Sequence, residues 1–232
     1  MKLSIILPTY NEKENIEKIL TAILKYAGDA EIIVVDDNSP DGTWKLAEGM
    51  KKKNVRVIRR IGERGLWSAV SRGIAASHGD VVMWMDSDFS HPPEKIPEIL
   101  GYMKNYDIAK GSRFLKGAHD TRGLARRATS WLFNKYATII LSRKVTDWDT
   151  QFLAVRKDVF KNIHLKKATH GQYLVRFFYE CLQNNRKIKE IPFTFNDRKW
   201  GKSKTVSKWY SLGIHGWNYG IYVLKIKFGK HF

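Results

Sequence analysis

The first half of the chain alternates short apolar runs with amphipathic helical segments, and this alternation limits the possible folds more than any other feature. The apolar runs read LSIILP, AEIIVVDD, VRVIRR and DVVMWMD. Between the first two lies NEKENIEKILTAILKYA, whose isoleucines and leucines recur at helical spacing, and we expect Asn11 to cap this helix. The resulting β-α-β-α-β-α-β order predicts an α/β fold, with a mostly parallel sheet and helices on both faces.

The second half is less regular but is expected to continue the same fold. DIAKGSRF, TQFLAVRKDVF and IKEIPFTF read as strands, RGLARRATSWLFNKYATIIL as a long helix, and residues 171–184 as a further helix. The sequence has no internal repeat and no low-complexity linker, which favours a single fold over two domains.

The charge balance is strongly basic, at +18 over 232 residues, and predicts a polyanionic partner: nucleic acid, an anionic lipid surface or a phosphorylated substrate. The lysine run at 51–53 is more typical of a solvated surface. Cys181 is the single cysteine, so a disulfide framework is excluded and a cytoplasmic location is expected. No apolar stretch reaches the ~18 residues of a membrane-spanning helix, and the apolar N-terminus reads as a strand rather than a signal peptide.

Residues 206–232 differ in composition from the rest, because they are rich in aromatic residues and glycine and carry lysines near their end. We predict an amphipathic tail that lies in a membrane interface, with its lysines toward lipid phosphates. A helix docked on the protein core is the alternative. The apolar residues that would share one helical face are Trp209, Leu212, Trp217, Ile221, Leu224 and Phe228.

Two aspartates, Asp86 and Asp88, directly follow the fourth apolar run. Ligands of parallel α/β sheets bind beyond the carboxyl ends of the strands, where this pair is expected to lie. Carboxylate oxygens suit Mg²⁺ or Mn²⁺, which would bridge to a substrate diphosphate and neutralise its charge as it departs. Helix capping or a chance loop pattern is the alternative, because the same spacing recurs at Asp147 and Asp149 without a preceding buried strand.

Further polar residues are expected at the same edge of the sheet. Asp36 and Asp37 end the second strand, where a carboxylate can accept hydrogen bonds from a ribose or a base. The glycine fingerprint of dinucleotide-binding folds is absent after the first strand, so a dehydrogenase is not favoured. Basic residues of the second half suit a second, phosphate-bearing substrate opposite the acidic pair. These residues are Arg113, Arg126, Arg127, Arg198, Lys202 and Lys204.

Five ordered motifs resemble a known family. They are SIILPTYNEKENI, EIIVVDDNSPDGTW, RGLWSAVSRGIAASHGDVVMWMDSDFSHPPE, GSRF and IPFTFNDRKWGKSK. Together they resemble the GT-A-fold, family 2 glycosyltransferases, and within these the dolichol-phosphate mannose synthases and related polyprenyl-phosphate glycosyltransferases. The resemblance implies an inverting enzyme with Mg²⁺ or Mn²⁺ as cofactor. It would transfer a hexose, mannose from GDP-mannose, to dolichyl or polyprenyl phosphate.

The resemblance also implies partners, a location and domain bounds. The partners would be a nucleotide-sugar donor, a polyprenyl- or dolichyl-phosphate acceptor, an anionic membrane surface and a separate membrane-anchoring protein, with no nucleic acid among them. The protein would lie peripherally on the cytoplasmic face of the membrane. Residues 1–205 would form the GT-A domain, with a nucleotide-sugar half at 1–110 and an acceptor half at 111–205, and the tail would follow at 206–232.

The resemblance assigns roles to residues by their position in the motifs. Nucleotide-sugar binding would fall to Pro8, Tyr10, Glu12, Val35, Asp37, Asp86, Ser87, Asp88, Arg113, Arg198 and Lys204. The metal ligands would be Asp86, Asp88 and Ser90. The acceptor phosphate would contact Arg113, Arg126, Arg127 and Asp149, and the catalytic group would comprise Asp88, Arg113, Arg126, Arg198 and Lys204.

The chemistry of the acceptor leaves alternatives open. A phosphate monoester is already ionised near neutral pH, so transfer to it needs positioning and charge screening rather than a general base. A sugar hydroxyl would need a carboxylate base, for which Asp147 and Asp149 are the candidates, although Asp147 could equally orient an arginine. The alternatives are a family 2 transferase that uses UDP-glucose or a sugar-hydroxyl acceptor in polysaccharide or glycolipid synthesis and, from a different class, a nucleic-acid-binding protein.

Overall fold

The computed structural model describes residues 1–168, 171–198 and 219–229. Its centre is a seven-stranded sheet in the order β3-β2-β1-β4-β7-β5-β8, and a second, two-stranded sheet pairs β6 with β9. The strands are β1 (Leu3–Thr9), β2 (Glu31–Asp36), β3 (Val55–Arg59), β4 (Val81–Trp84), β5 (Ile108–Ser112), β6 (His119–Asp120), β7 (Leu153–Arg156), β8 (Ile188–Pro192) and β9 (Thr194–Phe195). The predicted mostly parallel α/β fold is confirmed.

Six α-helices connect the strands, and two short 3-10 helices lie at Pro93–Lys95 and Lys157–Lys161. The α-helices are α1 (Ile16–Tyr26), α2 (Thr43–Gly49), α3 (Leu66–Ala76), α4 (Ile96–Tyr102), α5 (Leu124–Ile140) and α6 (Gln172–Gln183). Residues 219–227 form a further helix near the end of the chain.

The sheet has a hydrophobic core on each face, because apolar side chains of its central strands point to both sides, and β4 is apolar at every position. Neighbouring residues of β4 show this: Met83 packs with α1, α2 and α4 on one face, and Trp84 packs with α3, α5 and α6 on the other. Both side chains are fully buried. Burial of one such side chain contributes about 1.5–3 kcal/mol to folding, which explains why the apolar runs form strands between two helical layers.

One local prediction is wrong, and another is only partly confirmed. Asn11 does not cap α1: it adopts a left-handed backbone conformation (φ 53°), and the helix begins five residues later, at Ile16. The carbonyl of Glu12 instead accepts the backbone N–H groups of Asn15 and Ile16, at 2.9 Å each. The segment TQFLAVRKDVF is only partly a strand, since β7 ends at Arg156 and a 3-10 helix follows.

The direction of β7 was not predicted. It runs antiparallel to both of its neighbours, β4 and β5, whereas the other adjacent strands of the large sheet are parallel. Because of this reversal, β7 begins beside the carboxyl-terminal halves of β4 and β5, where Leu153 pairs with Trp84 and Lys110. The loop that contains Asp147 and Asp149 therefore lies at the same edge of the sheet as the loop after β4.

The described part of the predicted tail packs on α5. The ring of Tyr219 meets the ring of Phe133 edge-on at 4.9 Å, and the Tyr136 hydroxyl donates to the carbonyl of Gly220 at 3.4 Å. Val223 is fully buried in the core. One face of this helix thus docks on the protein, as the alternative interpretation of the tail expected.

The other face of the same helix points away from the core. Ile221, Leu224 and Phe228, three residues of the predicted apolar face, are exposed. The remaining residues of that face, Trp209, Leu212 and Trp217, lie outside the described residues. None of the helices in residues 1–168, 171–198 and 219–229 combines the length and the apolar character that a membrane-spanning helix needs.

Candidate active site

The loop that follows β4 holds the acidic pair, and a buried histidine fixes its shape. The Asp86 backbone N–H donates to Nδ1 of His91 at 3.0 Å. The imidazole of His91 stacks on Phe152, with centroids 5.2 Å apart, and contacts the rings of Phe193 and Phe195. The three phenylalanine rings fix the imidazole of His91, and its hydrogen bond in turn fixes the Asp86 main chain just after β4.

His91 is a site residue that the sequence analysis missed. Burial lowers the pKa of its imidazole to about 3, so the ring is neutral and its Nδ1 can accept the Asp86 N–H. The sequence signal was present in the segment SHPPE, which directly follows the acidic pair, but a lone histidine in a turn does not by itself indicate such a role.

The two aspartates of the pair carry unequal proton affinities. Partial burial, together with repulsion from Asp88, raises the pKa of Asp86 to about 8. Burial also acts to raise the pKa of Asp88, but hydrogen bonds from Ser90 and the charge of Arg198 outweigh it and lower that pKa. The Ser90 backbone N–H donates to Oδ1 of Asp88 at 3.1 Å. Asp88 is therefore the carboxylate that stays charged, and Asp86 gains its charge most readily when a cation is close.

Arg198 spans the acidic pair and the first loop of the sheet. Its Nη2 lies 3.0 Å from Oδ2 of Asp88 and 2.9 Å from Oε1 of Glu12. Glu12 is itself fixed, because its Oε2 accepts from Asn15 at 2.8 Å and its backbone N–H donates to Thr43 at 2.8 Å. The structure thus brings together Glu12, Asp88 and Arg198, while Lys204 lies outside the described residues.

The residues expected to hold the nucleotide gather at the ends of β1 and β2. Pro8 and Val35 are paired across these two strands, and Tyr10 follows β1 directly. The guanidinium of Arg64, from the loop after β3, lies 3.8 Å from the centre of the Tyr10 ring. A flat surface of this kind suits stacking against a base.

Asp37, the other residue predicted to bind the nucleotide, is held by protein groups. Nε of the buried Arg60 donates to its Oδ1 at 2.8 Å, and the Gly65 N–H donates to its Oδ2 at 2.8 Å. Asp37 therefore fixes the loop after β3 beside Tyr10. Arg60 was not predicted as part of this site, because it stands 23 positions from Asp37 in the sequence.

Arg113 forms the opposite side of the site with the second pair of aspartates. Its backbone N–H and Nε donate to Oδ2 of Asp147 at 3.0 and 2.7 Å, and its Nη2 donates to Oδ1 at 2.7 Å. Nη2 also contacts Asp149, whose Oδ1 accepts from Asn134 at 3.2 Å. Asp147 thus orients an arginine, which was one of the two roles considered for it. Burial acts to raise the pKa of Asp147, but Arg113 holds it well below its usual range.

Arg126 and Arg127 occupy the first turn of α5, where Arg126 is half-buried and Arg127 is exposed. Arg122, just before this helix, was not predicted but lies beside the site. Its guanidinium is 4.7 Å from the centre of the Phe195 ring and pairs with Asp120 at 2.6 Å. Any contact of Arg126 or Arg127 with an acceptor remains a prediction.

The donor groups fit a divalent cation that is completed by its substrate. Within the described part of the chain, no group of three or more histidine, cysteine or acidic side chains could enclose a metal by itself. Mg²⁺ and Mn²⁺ sites in nucleotide enzymes commonly use one or two carboxylates, with phosphate oxygens and water as the other ligands. Asp86 and Asp88 supply such a pair, and the Arg198 guanidinium on Asp88 is a stand-in cation at the same carboxylate.

The sheet order, the acidic pair and the clustered nucleotide-side residues define a GT-A fold. Residues 4–164 match the model of glycosyl transferase family 2, and the chain belongs to that family. The dolichol-phosphate mannosyltransferase of Pyrococcus furiosus is 38% identical over 90% of this chain, which spans 60% of that relative. The undecaprenyl-phosphate mannosyltransferase of Micrococcus luteus is 32% identical, with 88% of this chain and 87% of the relative aligned.

A third relative and a solved structure agree with this placement. The polyprenol monophosphomannose synthase of Mycolicibacterium smegmatis is 31% identical over 86% of this chain and 79% of its own length. The crystal structure of glucosyl-3-phosphoglycerate synthase from Mycobacterium tuberculosis, in complex with Mn²⁺, UDP and glucosyl-3-phosphoglycerate, has a TM-score of 0.73. The two chains are 18% identical, and the match covers 97% of this chain and 80% of the synthase chain. This similarity supports the fold alone.

Proposed function

We propose that this protein transfers mannose, with inversion, from GDP-mannose to the phosphate of a dolichyl or polyprenyl lipid, and that it uses Mg²⁺ or Mn²⁺. The names of the three mannosyltransferase relatives support the sugar and the lipid phosphate. The metal is supported by the acidic pair, and by the Mn²⁺ in the complex of the structural neighbour. The protein would act peripherally at the cytoplasmic face of a membrane.

One observation carries this proposal: two arginines from different parts of the chain flank a single acidic pair. Arg198 contacts Asp88, and the charges of both Arg198 and Arg113 act on Asp86. An acidic pair that holds a cation between two arginines can bind two phosphate groups at once. A donor diphosphate and an acceptor phosphate are such a pair of ligands.

The proposed reaction follows from these positions. An oxygen of the acceptor phosphate attacks C1 of the hexose, and the bond from C1 to the nucleoside diphosphate breaks as the new C1–O bond forms on the opposite face. A bound divalent cation would neutralise charge on the departing diphosphate. Arg198 turns from Glu12 and Asp88 toward that diphosphate, and Arg113 screens and orients the attacking phosphate. No proton has to leave the acceptor.

The state of the second aspartate pair favours a phosphate over a hydroxyl acceptor. A general base must be able to take a proton, but the pKa of Asp147 is held low by Arg113. Asp149 accepts from Arg113 and Asn134, so its charge is directed at an arginine. Arg113, in contrast, keeps one donor available: within the described residues, its Nη1 makes no hydrogen bond.

The membrane surface is supported by two helices that pack on each other. The outward side of α5 exposes large apolar residues, and so does helix 219–227. In α5 these residues are Leu124, Trp131, Leu132 and Ile139. Exposed basic side chains lie among them in both helices, namely Arg127 and Lys135 in α5 and Lys227 in helix 219–227, which is the composition of an interfacial segment. We propose that this surface brings Arg113 to the level of the lipid phosphates.

A direct assay tests the function. Purified protein is incubated with Mn²⁺ and GDP-mannose or UDP-glucose, together with a short-chain polyprenyl phosphate or the corresponding polyprenol. We expect mannosylated lipid phosphate only from GDP-mannose and the phosphate, and none with EDTA. Product from UDP-glucose would overturn the donor, and product from the polyprenol would overturn the phosphate acceptor. Binding of both nucleotide-sugars is measured in parallel by calorimetry, so that an inactive acceptor is separated from a wrong donor.

A further inference from the structure

Glu190, on the edge strand β8, holds the loop that carries the second aspartate pair. Its Oε2 accepts from the backbone N–H and the hydroxyl of Thr146 at 2.8 and 2.7 Å. Its Oε1 accepts from the backbone N–H of Asp147 at 3.1 Å and pairs with Nζ of Lys110 at 2.9 Å. One carboxylate therefore binds two consecutive residues of the loop and a strand of the sheet.

Lys110 completes this arrangement from β5. Its side chain has no exposed surface, and the Glu190 side chain is only 7% exposed. Nζ also donates to the main-chain carbonyl of Asp147 and lies 4.8 Å from the centre of the Phe178 ring. A buried ion pair is a weak source of stability, because desolvation offsets most of its attraction. Its directed hydrogen bonds to one loop therefore point to a role in fixing geometry.

The loop that Glu190 and Lys110 fix is in direct contact with Arg113. Lys110 and Arg113 lie three positions apart, in the middle of β5 and just beyond its end. The backbone N–H of Asp147 donates to Glu190, and its carbonyl accepts from Lys110. Both oxygens of its side chain accept from Arg113. A shift of the Asp147 main chain would therefore move the Arg113 guanidinium by a similar distance.

We infer that Glu190 is a positioning residue for the acceptor phosphate, acting with Lys110 through Asp147 on Arg113. This inference rests on the proposed function, in which Arg113 contacts that phosphate. The donor side should be affected much less, because Arg198 is held there by Glu12 and Asp88, which follow β1 and β4 rather than belonging to the anchored loop. Misplacement of a contact by about 1 Å can cost on the order of 100-fold in rate, so a small movement is measurable.

The test uses three variants of increasing severity. Glu190→Asp keeps the charge that Lys110 needs but shortens the reach to the loop. Glu190→Gln keeps one acceptor oxygen. The double variant Lys110→Met with Glu190→Leu removes both buried charges together, so that neither is left unpaired. Glu180→Gln is the matched control, since Glu180 pairs with Lys166 and Arg176 on the surface of α6.

Two quantities separate positioning from general damage. For every variant, the KM for a short-chain polyprenyl phosphate and the Kd for GDP-mannose with Mn²⁺ are measured, together with the thermal midpoint. We expect the acceptor KM to rise about 10- to 100-fold, with Glu190→Asp affected least, while the donor Kd stays within about twofold. An unchanged acceptor KM in all three folded variants, or equal losses on the donor and acceptor sides, would overturn the inference.

Arg113→Lys distinguishes this failure from failure of the proposed function. If Arg113→Lys raises the acceptor KM and the Glu190 variants do not, the positioning role is wrong and the function stands. If Arg113→Lys leaves the acceptor KM unchanged, the acceptor site itself is misassigned and both proposals fall.

Discussion

Arg198 and Asp88 form an ion pair at the centre of the candidate active site, with Nη2 of the arginine 3.0 Å from Oδ2 of the aspartate. Both side chains are mostly buried, at 16% and 14% exposure. A guanidinium and a divalent cation are attracted to the same carboxylate, so they should compete for Asp88. Glu12, which also binds Arg198, offers the guanidinium a second partner when the cation takes Asp88.

Removal of the guanidinium should therefore change cation and donor binding in opposite directions. For Arg198→Ala we expect Mn²⁺ alone to bind about fivefold more tightly, which corresponds to about 1 kcal/mol for a partly exposed ion pair. GDP-mannose with Mn²⁺ should bind about 10- to 100-fold more weakly, because charge-assisted hydrogen bonds to the diphosphate are lost. Electron paramagnetic resonance of free Mn²⁺ and calorimetry measure the two effects.

Arg122→Ala is the control for this prediction, since Arg122 pairs with Asp120 and has no contact with Asp88. It should leave the affinity for Mn²⁺ alone unchanged. Weaker Mn²⁺ binding by Arg198→Ala would mean that the arginine supports the cation and does not compete with it.

The role of Asp149 decides between the two acceptor chemistries. In the structure its carboxylate accepts from Arg113 and Asn134. We expect Asp149→Asn to lower kcat/KM by about 10-fold through a less well oriented Arg113, with an unchanged pH–rate profile. A loss of about 10²–10⁴-fold, with a solvent isotope effect on kcat, would instead identify Asp149 as a general base and a hydroxyl as the acceptor.

Asp147 should make stability depend on pH. Its pKa is lower in the folded protein than in the unfolded chain, so the folded state gains stability from this group above the unfolded-state pKa of about 4. That contribution decreases as the pH falls below 4. At pH 7 we expect Asp147→Asn to lower the free energy of unfolding by about 3–5 kcal/mol, because Arg113 is left buried without its main partner.

Urea unfolding at pH 7 and at about pH 3 checks this sign. The difference between wild type and Asp147→Asn should be smaller at the lower pH. Asp158→Asn is the control, because Asp158 is an exposed partner of Arg156 at 3.6 Å and should change stability by less than about 1 kcal/mol. A difference that grows as the pH falls would contradict the assignment.

Gly111 is required by close packing beside the site. A Cβ atom at this position would lie 2.6 Å from a ring atom of Phe193 and 3.1 Å from one of Phe152, two of the three rings that contact His91. We expect Gly111→Ala to lower the free energy of unfolding by about 1–3 kcal/mol in denaturant titrations. Gly101→Ala, where a Cβ would meet nothing within 4 Å, should be neutral or stabilising.

Much of the fold was predictable because burial on both faces leaves a clear sequence signal. Each apolar run of the first half became a strand, and each 3.6-residue pattern between them became a helix. Strand direction left no such signal: β7 is apolar at its buried positions whichever way it runs, so its antiparallel pairing was not predictable. The position of Asn11 was unpredictable for a similar reason. Asparagine is favoured both as a helix cap and in the left-handed conformation, and the sequence does not distinguish the two.

The candidate active site was also predictable only in part. Asp86 and Asp88 could be placed from strand order alone, because the carboxyl ends of parallel strands share one edge. The pairing of Arg113 with Asp147 could not, since the two stand 34 positions apart and a sequence gives no distances. Glu190 was not identified, because only the fold buries its carboxylate against Lys110, 80 positions away.

The exposed apolar residues of α5 should make this helix a membrane contact. Trp131 and Leu132 are 54% and 65% exposed, and both lie on the side of α5 opposite the core-facing Ala137. For the double variant Trp131→Ser with Leu132→Ser we expect the partition coefficient onto anionic vesicles to fall by about 10- to 100-fold, because two apolar side chains no longer enter the interface. Cosedimentation with phosphatidylglycerol vesicles measures this change.

Ile61→Ser is the matched control, because Ile61 is 73% exposed but lies in the loop after β3, away from α5 in the chain. It should leave vesicle binding unchanged. A second variant, truncated before residue 206, separates the two parts of the surface: binding that survives truncation but not the α5 double variant would assign the contact to α5. If both variants bind vesicles like the wild type, the proposed membrane surface of these two helices is wrong.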